Sequence, residues 1–296
     1  MSGSIPQSVI TQCAASQDEP PNEQWQHASR DFAAWAAEQL WTDAGAPGRA
    51  YLQGGGLSDE TIRRWGLGYN PRKMHAPAAR WGLTGKSIYL PCGVVIPASV
   101  AGVIWYVKTR RFAGGQPATD DPKYLQIRGG APALFGSDEL RADGQPLLLC
   151  EGERDALLAW QELHDLVDVA TLGGAGVRHP GRWLLRLLPY RRILAAFDTD
   201  KAGREGADWW AGLSYRVLPL RLPHSKDLTE FRQAGGDLRT WLKVGLRHDQ
   251  APEVTRKLTD ARDWVAEANR EGIPSTGAGF PTWEGWYADL EKELTG

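Results

Sequence analysis

Leu147-Leu-Leu-Cys-Glu-Gly-Glu-Arg-Asp155 is an apolar, strand-like run that ends directly in acidic side chains. The same order returns at Ile193-Leu-Ala-Ala-Phe-Asp-Thr-Asp200, and the acidic cluster Lys226-Asp-Leu-Thr-Glu230 follows the apolar run 216–222. Helical patterns lie between these runs, which predicts repeated strand–helix units, a parallel sheet and an α/β fold. Ligands of such sheets collect beyond the carboxyl ends of the strands, so we expect all three acidic clusters at one edge.

Acidic side chains at that edge are suited to binding divalent cations. Mg²⁺ prefers carboxylate oxygen and usually keeps waters and substrate phosphates in its remaining coordination positions. The two acids of Asp198-Thr-Asp200 belong to one loop and can hold an ion jointly. The alternative is that these acids only cap the helices that follow them, because Asp is a common N-cap residue. Three clusters in this order, with Ala202-Gly203 after the second and Lys226 before Asp227, favour a metal site.

The stretch from about Leu147 to Leu242 resembles a Toprim domain, the metal-binding fold shared by bacterial-type primases, topoisomerases and some nucleases. Within that superfamily, Glu151-Gly-Glu-Arg-Asp-Ala-Leu157 and Ala196-Phe-Asp-Thr-Asp-Lys-Ala-Gly203 are similar to the primase branch, including phage primase-helicases. Lys226-Asp-Leu-Thr-Glu-Phe231 is similar to the third primase element of phage and mobile-element proteins. The resemblance therefore implies a parallel-sheet Toprim domain.

Residues upstream of this domain resemble the basic lobe of the primase catalytic core, for which we expect an α+β arrangement. The similar segments are Tyr51–Tyr69, Val94–Pro97, Gly102–Arg111, Pro122–Leu125 and Leu134–Gly136. Two positions depart from the family pattern. Gly55 stands where an Arg usually precedes Gly-Leu-Ser, and Thr229 stands where cellular primases often have another Asp.

Cysteine usage differs from that of cellular primases, which carry an N-terminal zinc ribbon. Cys13, Cys92 and Cys150 are scattered along the chain, with no Cys-x-x-Cys pair. Because zinc needs closely spaced soft ligands, we expect no zinc site in this sequence. Scattered cysteines also favour a reducing compartment.

The resemblance implies a DNA primase, which makes short primers on single-stranded DNA from nucleoside triphosphates. In the implied reaction a primer 3′-hydroxyl attacks the α-phosphorus, pyrophosphate leaves, and Mg²⁺ or Mn²⁺ neutralises charge on the attacking and leaving oxygens. Asp198 and Asp200 would carry most of the metal binding, and Asp227 would complete the cluster. Glu151 would be a further ligand or the group that deprotonates the nucleophile. The implied catalytic residues are thus Glu151, Asp198 and Asp200.

Contacts to template or nucleotide phosphates are implied for a second group of residues. This group comprises Lys108, Arg110, Lys123, Tyr124, Gly173, Gly174 and Lys226. Lys108 and Arg110 alternate with Ile104 and Tyr106 on one face of a predicted strand, which favours a joint role. Gly173-Gly174 follow a strand-like run and precede a helical one, so their N–H groups could approach phosphate; a tight turn is the alternative.

The charge of the chain is unevenly distributed, although its formal sum is −2 and its pI is near 6.3. Residues 61–130 hold eleven basic and two acidic side chains, whereas residues 1–60 hold two basic and eight acidic ones. Phosphate contacts from Lys and Arg supply affinity for nucleic acid that is independent of its sequence. A basic lobe beside a carboxylate cluster therefore favours an enzyme that holds a polyanion with one part and metal ions with another.

Four segments are expected along the chain. They are a disordered leader over 1–24, the basic lobe over 25–130, the Toprim catalytic domain over 131–245 and a helical acidic tail over 246–296. No apolar run approaches the length of about 18 residues that a membrane span requires. These features predict a cytoplasmic protein without a membrane partner. The 14 tryptophans are assigned mainly to core packing, with base stacking as the alternative for Trp81 and Trp105.

Two other functions remain open at this point. A Toprim nuclease uses similar carboxylates to cleave phosphodiesters, but such nucleases do not usually carry the basic lobe. A non-catalytic DNA-binding module of a replication complex is favoured by Gly55 and Thr229 and opposed by the complete set of acids. Single-stranded DNA and nucleoside triphosphates are the expected partners, and a replicative helicase or a separate zinc-ribbon protein are further candidates.

Overall fold

A computed structural model describes residues 19–120, 122–174 and 181–248, with the single helical residues 266, 270, 288 and 292. The chain divides into two compact units, Met1–Leu238 and Arg239–Gly296. Most of the predicted leader, and almost all of the predicted tail after residue 248, lie outside the described residues. The expected domain boundaries at 130/131 and 245/246 stay predictions.

Three helices open the described part of the chain, each where apolar residues recur at helical spacing. They are α1 (Glu23–Leu40), α2 (Ala46–Gly54) and α3 (Asp59–Arg64). Asn22 caps α1, because its side chain accepts a hydrogen bond from the Trp25 N–H at 2.9 Å. Ser58 caps α3 by accepting a hydrogen bond from the Thr61 N–H at 3.1 Å. Both caps satisfy N–H groups that have no partner inside the helix.

An antiparallel sheet follows these helices. Its strands, with the separate hairpin β2–β3, are β1 (Gly68–Asn70), β2 (Met74–Pro77), β3 (Ser87–Leu90), β4 (Gly93–Val100), β5 (Val103–Ala113), β6 (Gln116–Pro117) and β7 (Tyr124–Gln126). The order in the sheet is β1-β4-β5-β6, and β7 also pairs with β5. These helices and strands agree with the α+β arrangement expected for the basic lobe.

A parallel sheet occupies the second half of the first unit. Its strands are β8 (Leu147–Cys150), β9 (Asp168–Thr171), β10 (Ile193–Ala196) and β11 (Val217–Pro219), in the order β11-β10-β8-β9. Helices α4 (Glu153–Leu163), α5 (Gly181–Leu185) and α6 (Lys201–Leu213) connect them, and α7 (Leu228–Gln233) and α8 (Leu238–His248) follow. All strand pairs in this sheet are parallel, which confirms the predicted α/β fold.

The strand expected over residues 216–222 is shorter than predicted. It ends at Pro219, and a loop then leads to the third acidic cluster. The backbone pairing continues one residue further, since the Leu220 N–H donates to the Ala195 carbonyl of β10 at 2.9 Å, and Pro223, which has no N–H, follows three residues later. The third cluster therefore does not follow its strand directly, in contrast to the first two.

Aromatic side chains fill the core beneath the antiparallel sheet. Trp25 and Trp81 meet edge to face with their ring centroids 5.8 Å apart, and Phe32 also packs on Trp81. Trp105 packs edge to face on Trp183, with centroids 4.9 Å apart. Only 2% of Trp81 and 4% of Trp105 is exposed, so the core-packing interpretation of both residues is confirmed. Among the described helices, none is long and apolar enough to cross a bilayer.

A buried carboxylate ties the start of β9 to the loop before β8. Asp168 is 2% exposed and accepts hydrogen bonds of 2.6–2.9 Å from Arg141 N and Nε, Ala142 N and the Tyr190 hydroxyl. Burial by itself would raise the pKa of Asp168, but these donors outweigh it and hold the pKa below its ordinary value. The fold therefore stabilises the ionised form of Asp168.

Replacing Asp168 by Asn should lower the free energy of unfolding by about 3 kcal/mol at pH 7, because a charged acceptor with several donors is lost from a buried position. Urea denaturation measures this difference. Since the folded-state pKa lies below the unfolded one, the stabilisation is present above the ordinary pKa of 3.8 and disappears as the pH falls below it. The exposed Asp143→Asn is the matched control. Equal stabilities of the two variants at pH 7 would contradict this role of Asp168.

Candidate active site

The carboxyl ends of β8 and β10 bring the first two acidic clusters together. The register pairs Cys150 with Ala196, so the two strands end level. Glu151 and Asp198 follow, and the Asp198 N–H donates a hydrogen bond of 3.1 Å to Glu151 Oε2. The expectation that these clusters share one sheet edge therefore agrees with the structure.

The start of α6 depends on a glycine. A side chain at Gly203 would clash with the Asp198 carbonyl, so only glycine lets the first helical turn pack against the acidic loop. The Gly203 N–H is accepted at 3.0 Å by Asp200 Oδ1, which caps the helix. Gly203 thus fixes the direction in which the Asp198-Thr-Asp200 loop presents its carboxylates.

Backbone contacts fold the third cluster back onto the second. The Thr199 N–H donates to the Lys226 carbonyl at 2.8 Å, and the Thr199 hydroxyl donates to the Ser225 carbonyl at 3.0 Å. Asp227 caps α7 through a hydrogen bond of 2.7 Å from the Glu230 N–H to its Oδ1. The short β11 therefore does not prevent Asp227 from joining the sheet edge.

Helix capping and cation binding are both found at these acids, on different oxygens of the same carboxylate. Asp200 caps α6 with Oδ1, while its Oδ2 lies 3.4 Å from the Lys226 ammonium. Asp227 caps α7 with Oδ1, while its Oδ2 lies 3.2 Å from Arg154 Nη2. Asp198 Oδ2 lies 3.5 Å from the same Lys226 ammonium. Capping therefore leaves one oxygen of Asp200 and of Asp227 for a cation, and the metal site stays a prediction.

An open cavity of about 400 Å³ lies beside these acids. Its lining comprises Tyr51, Lys108, Arg110, Lys123, Tyr124, Glu151, Gly152, Glu153, Arg154, Asp155, Gly173, Gly174, Asp198, Lys226 and Asp227. All but one of the residues predicted for the site are in this lining. The exception is Asp200, which is linked to the cavity through Lys226. The acidic clusters and the basic strand thus face one space, which is the arrangement expected from the charge distribution.

Arg154 and Tyr51 were not selected from the sequence, although both line the cavity. Arg154 donates from Nη1 to the Tyr51 hydroxyl at 3.3 Å and from Nη2 to Asp227. Burial would raise the pKa of Tyr51, but Arg154 and Arg110 outweigh it and lower that pKa. The position of Arg154 inside the first acidic motif was the available signal, because the first turn of α4 must lie at the sheet edge.

Lys108 is held inside the protein by a short ion pair. Its ammonium lies 2.5 Å from Glu153 Oε1 and 3.2 Å from the Gly173 carbonyl, and the Tyr106 hydroxyl donates to the same Glu153 oxygen at 2.8 Å. Glu153 is buried, and these contacts join β5 of the antiparallel sheet to α4 of the parallel sheet. The charge of Lys108 is thus already balanced by the protein, and its predicted phosphate contact stays a prediction.

Lys123 is the most available cation of the predicted phosphate-binding group. Its side chain is exposed at the cavity and has no ion-pair or hydrogen-bond partner among the described residues. Arg110 is less free, since its Nη1 donates to the carbonyls of Ala118 and Lys123 at 2.8 and 3.3 Å. The Arg110 guanidinium also lies 5.4 Å from the centre of the Tyr124 ring. Arg110 and Tyr124 therefore form a fixed wall of the cavity, and Lys123 is the exposed cation beside this wall.

The glycine loop offers fewer donors than its sequence suggests. The Gly173 N–H is already bonded to Thr171 Oγ1 at 2.9 Å, and φ at Gly173 is +85°, a value that favours glycine. Gly174 also lines the cavity. The residues that follow, 175–180, lie outside the described part of the chain.

The two departures from the family pattern have clear structural settings. Gly55 ends α2 as its C-cap, one turn after Tyr51. Thr229 is buried and is not among the residues that line the cavity, and its hydroxyl and N–H donate to Asp155 Oδ1 at 2.9 and 3.2 Å. Thr229 therefore holds Asp155 in place.

Repulsion among the carboxylates shapes the electrostatics of the site. Burial, and then Glu151 and Asp227, raise the pKa of Asp198 to about 6. Burial, and then Asp227, raise that of Asp155 to about 6. Burial, together with Asp200 and Asp155, also raises the pKa of Glu151. These acids are therefore held close together at a cost in free energy.

The donor atoms of this cluster are of the type that a hard divalent ion prefers. All of them are carboxylate oxygens, and a cation among them would relieve the repulsion that raises their pKa values. Among the described residues, no three His, Cys, Asp or Glu side chains converge at the separations of a finished metal site. Lys226 and Arg154 act as the counter-charges of Asp198, Asp200 and Asp227 in this arrangement.

Replacing Asp198 by Asn should raise the melting temperature at pH 7.5. The folded-state pKa of about 6 lies above the ordinary 3.8, so the cost of burying and crowding the charged form is absent below pH 4, grows as the pH rises and is complete above pH 6. Each kcal/mol of relieved repulsion should add about 2–4 °C in a protein of this size. Calorimetry at pH 4.5 and 7.5 measures the effect, which should be larger at pH 7.5. A lower melting temperature of the variant at pH 7.5 would contradict the repulsion.

Comparison with curated proteins identifies DNA primases as relatives. The chain is 26% identical to the DNA primase of Salmonella typhimurium strain LT2, in an alignment over 223 residues that covers 66% of this chain and 36% of that primase. It is 28% identical to the Deinococcus radiodurans enzyme over 72% of this chain and 42% of the enzyme. It is 30% identical to the DNA primase of Pseudomonas aeruginosa, in an alignment that covers 63% of this chain and 32% of that primase. The chain therefore spans about a third to two fifths of the curated relatives it matches.

Solved structures agree with these relatives, while no protein-family model matches the chain. The RNA polymerase domain of the Mycobacterium tuberculosis primase DnaG, in complex with a DNA oligomer with an overhang, superposes with a TM-score of 0.62. That comparison covers 93% of this chain and 98% of the domain, at 17% identity. A DnaG catalytic domain bound to single-stranded DNA superposes with a TM-score of 0.58 and 18% sequence identity. The comparison covers 92% of this chain and 97% of that domain. The chain is therefore a homologue of bacterial DNA primases and has the fold of their catalytic core.

Proposed function

We propose that this chain is the catalytic core of a DNA primase, which synthesises short primers on single-stranded DNA by metal-dependent nucleotidyl transfer. The observation that carries the proposal is the cavity in which Glu151, Asp198 and Asp227 face Lys123 and Arg110. A polyanionic template or triphosphate can contact the basic wall while its reacting phosphate lies beside the acids.

The comparisons support this proposal. Every curated relative named above is a DNA primase, and one of the solved structures with the same fold holds single-stranded DNA. These relatives are bacterial proteins, so the closer resemblance to phage or mobile-element primases stays a prediction. A cytoplasmic location and a helicase or zinc-ribbon partner also stay predictions.

Mg²⁺ or Mn²⁺ would be held by Glu151, Asp198, Asp200 and Asp227, because hard divalent ions prefer carboxylate oxygen. When bound, the metal would neutralise charge on the phosphate and on the attacking and leaving oxygens. Glu151 is also placed to accept a proton, since its pKa is raised and one of its oxygens is already oriented by the Asp198 N–H.

The basic residues would bind and orient the phosphates. Lys123 supplies a mobile charge, and Arg110 and Tyr124 supply a fixed wall. The pair of Lys108 and Glu153 holds that wall at a constant distance from the acids, because it connects β5 to α4. Positioning of this kind lowers the entropic part of the barrier to phosphoryl transfer.

Asp198→Asn should lower primer synthesis by a factor on the order of 10² or more, because a main ligand of the charge-neutralising metal is lost. The assay uses mixed-sequence single-stranded DNA with labelled nucleotides and Mg²⁺ or Mn²⁺. Asp208→Asn is the matched control, since Asp208 lies on α6 and is 64% exposed in a loose pair with Arg221. The control should retain full synthesis.

Each outcome of this assay bears on one of the functions left open by the sequence. Short products that depend on nucleotides and vanish in Asp198→Asn support the primase. Metal-dependent loss of the template without nucleotides would instead identify a nuclease. DNA binding with neither activity, on templates where a cellular primase makes primers, would identify a non-catalytic module.

Lys123→Ala should weaken binding of single-stranded DNA and reduce the slope of log affinity against log salt concentration by about 1, the change expected for one phosphate contact. Fluorescence anisotropy over a range of salt concentrations measures both quantities. Lys86→Ala is the control, because Lys86 is exposed but does not line the cavity. An unchanged salt slope would remove Lys123 from the DNA-binding surface.

A further inference from the structure

Lys226 occupies an unusual position between two acids of the site. Its ammonium lies 3.5 Å from Asp198 Oδ2 and 3.4 Å from Asp200 Oδ2. These contacts are loose, and 53% of the Lys226 side chain is exposed. The backbone around it is fixed instead, since the Lys226 carbonyl accepts from Thr199 and its N–H donates to Glu230 Oε2 at 2.9 Å. The side chain can therefore move while its origin stays in place.

A divalent ion held by Asp198 and Asp200 would use the same two carboxylates, and at Asp200 it would use Oδ2, because Oδ1 caps α6. Mg²⁺ binds oxygen at about 2.0–2.1 Å, so an ion on both Oδ2 atoms would lie within a few Å of the ammonium. Two cations at such a distance repel each other strongly, even where solvent reaches them. Lys226 and the metal therefore compete for the same pair of carboxylates.

We propose that Lys226 is an exchangeable counter-ion, which a divalent metal displaces from Asp198 and Asp200 and which then binds a phosphate of the nucleotide. The inference rests on the proposed function for the identity of the ligand, and it gives Lys226 a role that the acids cannot share. A lysine is suited to this exchange, because its ammonium is a compact point charge on a flexible stem.

The position of Lys226 in the cavity supports the second half of the exchange. Lys226 and Asp198 both line the cavity, so the ammonium leaves the carboxylates without leaving the site. Arg154, in contrast, is held by both Tyr51 and Asp227. Of the two cations that pair with the acids of the site, Lys226 is therefore the one whose side chain can turn towards a bound triphosphate.

The exchange predicts that loss of the Lys226 charge changes two affinities in opposite directions, the affinity for the metal alone and the affinity for the metal–nucleotide complex. Removing the Lys226 charge takes away a competitor of the metal, so the metal alone should bind more tightly. The same change takes away a phosphate contact, so the metal–nucleotide complex should bind more weakly. A residue that only supports the fold would weaken both.

The experiment compares wild-type protein with Lys226→Met in two binding titrations by calorimetry, one with Mn²⁺ alone and one with ATP in excess Mn²⁺. We expect Mn²⁺ alone to bind up to about fivefold more tightly to the variant, the size of one exposed ion pair. We expect Mn²⁺-ATP to bind about tenfold more weakly, as for one lost charge-assisted phosphate contact. Lys201→Met is the control for net charge, because Lys201 follows Asp200 directly but pairs outward with Glu205 at 3.7 Å.

Several results would overturn the proposal. They are a weaker or unchanged affinity of Lys226→Met for Mn²⁺ alone, an unchanged affinity for Mn²⁺-ATP, or the same pair of changes in Lys201→Met. Circular dichroism of each variant shows whether the fold is retained, and Lys226→Arg, which keeps the charge, should restore Mn²⁺-ATP binding if the fold is intact.

Failure of this inference can be separated from failure of the proposed function. If wild-type protein makes primers and Asp198→Asn does not, but Lys226→Met leaves both titrations unchanged, the function stands and the exchange is wrong. If no condition yields primers but the opposite changes in affinity are seen, the exchange stands and the primase assignment is wrong.

Discussion

Mutual repulsion of carboxylates at the carboxyl edge of a parallel sheet is the constraint on which the rest of this structure depends. The level ends of β8 and β10 place Glu151 beside Asp198, and the loop before α7 adds Asp227. Burial first, and then the neighbouring carboxylates, raise the pKa values of Glu151 and Asp198, so the fold holds these acids against their own electrostatic preference. Stability is given up locally where charge has to be concentrated, as is common at functional sites.

Protein cations moderate this repulsion from two sides. Arg154 is fixed against Asp227 and Tyr51, and Lys226 lies loosely between Asp198 and Asp200. A third ion pair, between Lys108 and Glu153, lies deeper and joins the two sheets. The acidic edge and the basic wall are therefore parts of one electrostatic arrangement, in which only the cations nearest the cavity remain free to change partners.

The sequence predicts the local parts of this arrangement well, because they depend on short-range rules. Alternation of apolar runs with acids predicts the parallel sheet and its functional edge, and Ser58 is recognisable as a helix cap. Partners distant in the chain are not predictable in this way. Lys108 reads as an exposed phosphate ligand until the packing of the two sheets places Glu153, 45 residues later, against it. The length of β11 is overestimated from the sequence because apolar residues continue to Leu222, whereas the described backbone pairing with β10 ends at the Leu220 N–H.

In Asp200 and Asp227 one carboxylate oxygen caps a helix while the other faces a cation, and this has a consequence for evolution. Asp200 and Asp227 each cap a helix with one oxygen, so a descendant that had lost its chemistry would still gain stability by keeping them. Among the described residues, Glu151 and Asp198 cap no helix, and their crowding destabilises the fold. Selection for folding alone would therefore retain the first two acids and let the last two drift. In any set of homologues, the joint retention of Glu151 and Asp198 is the more informative record of a working site.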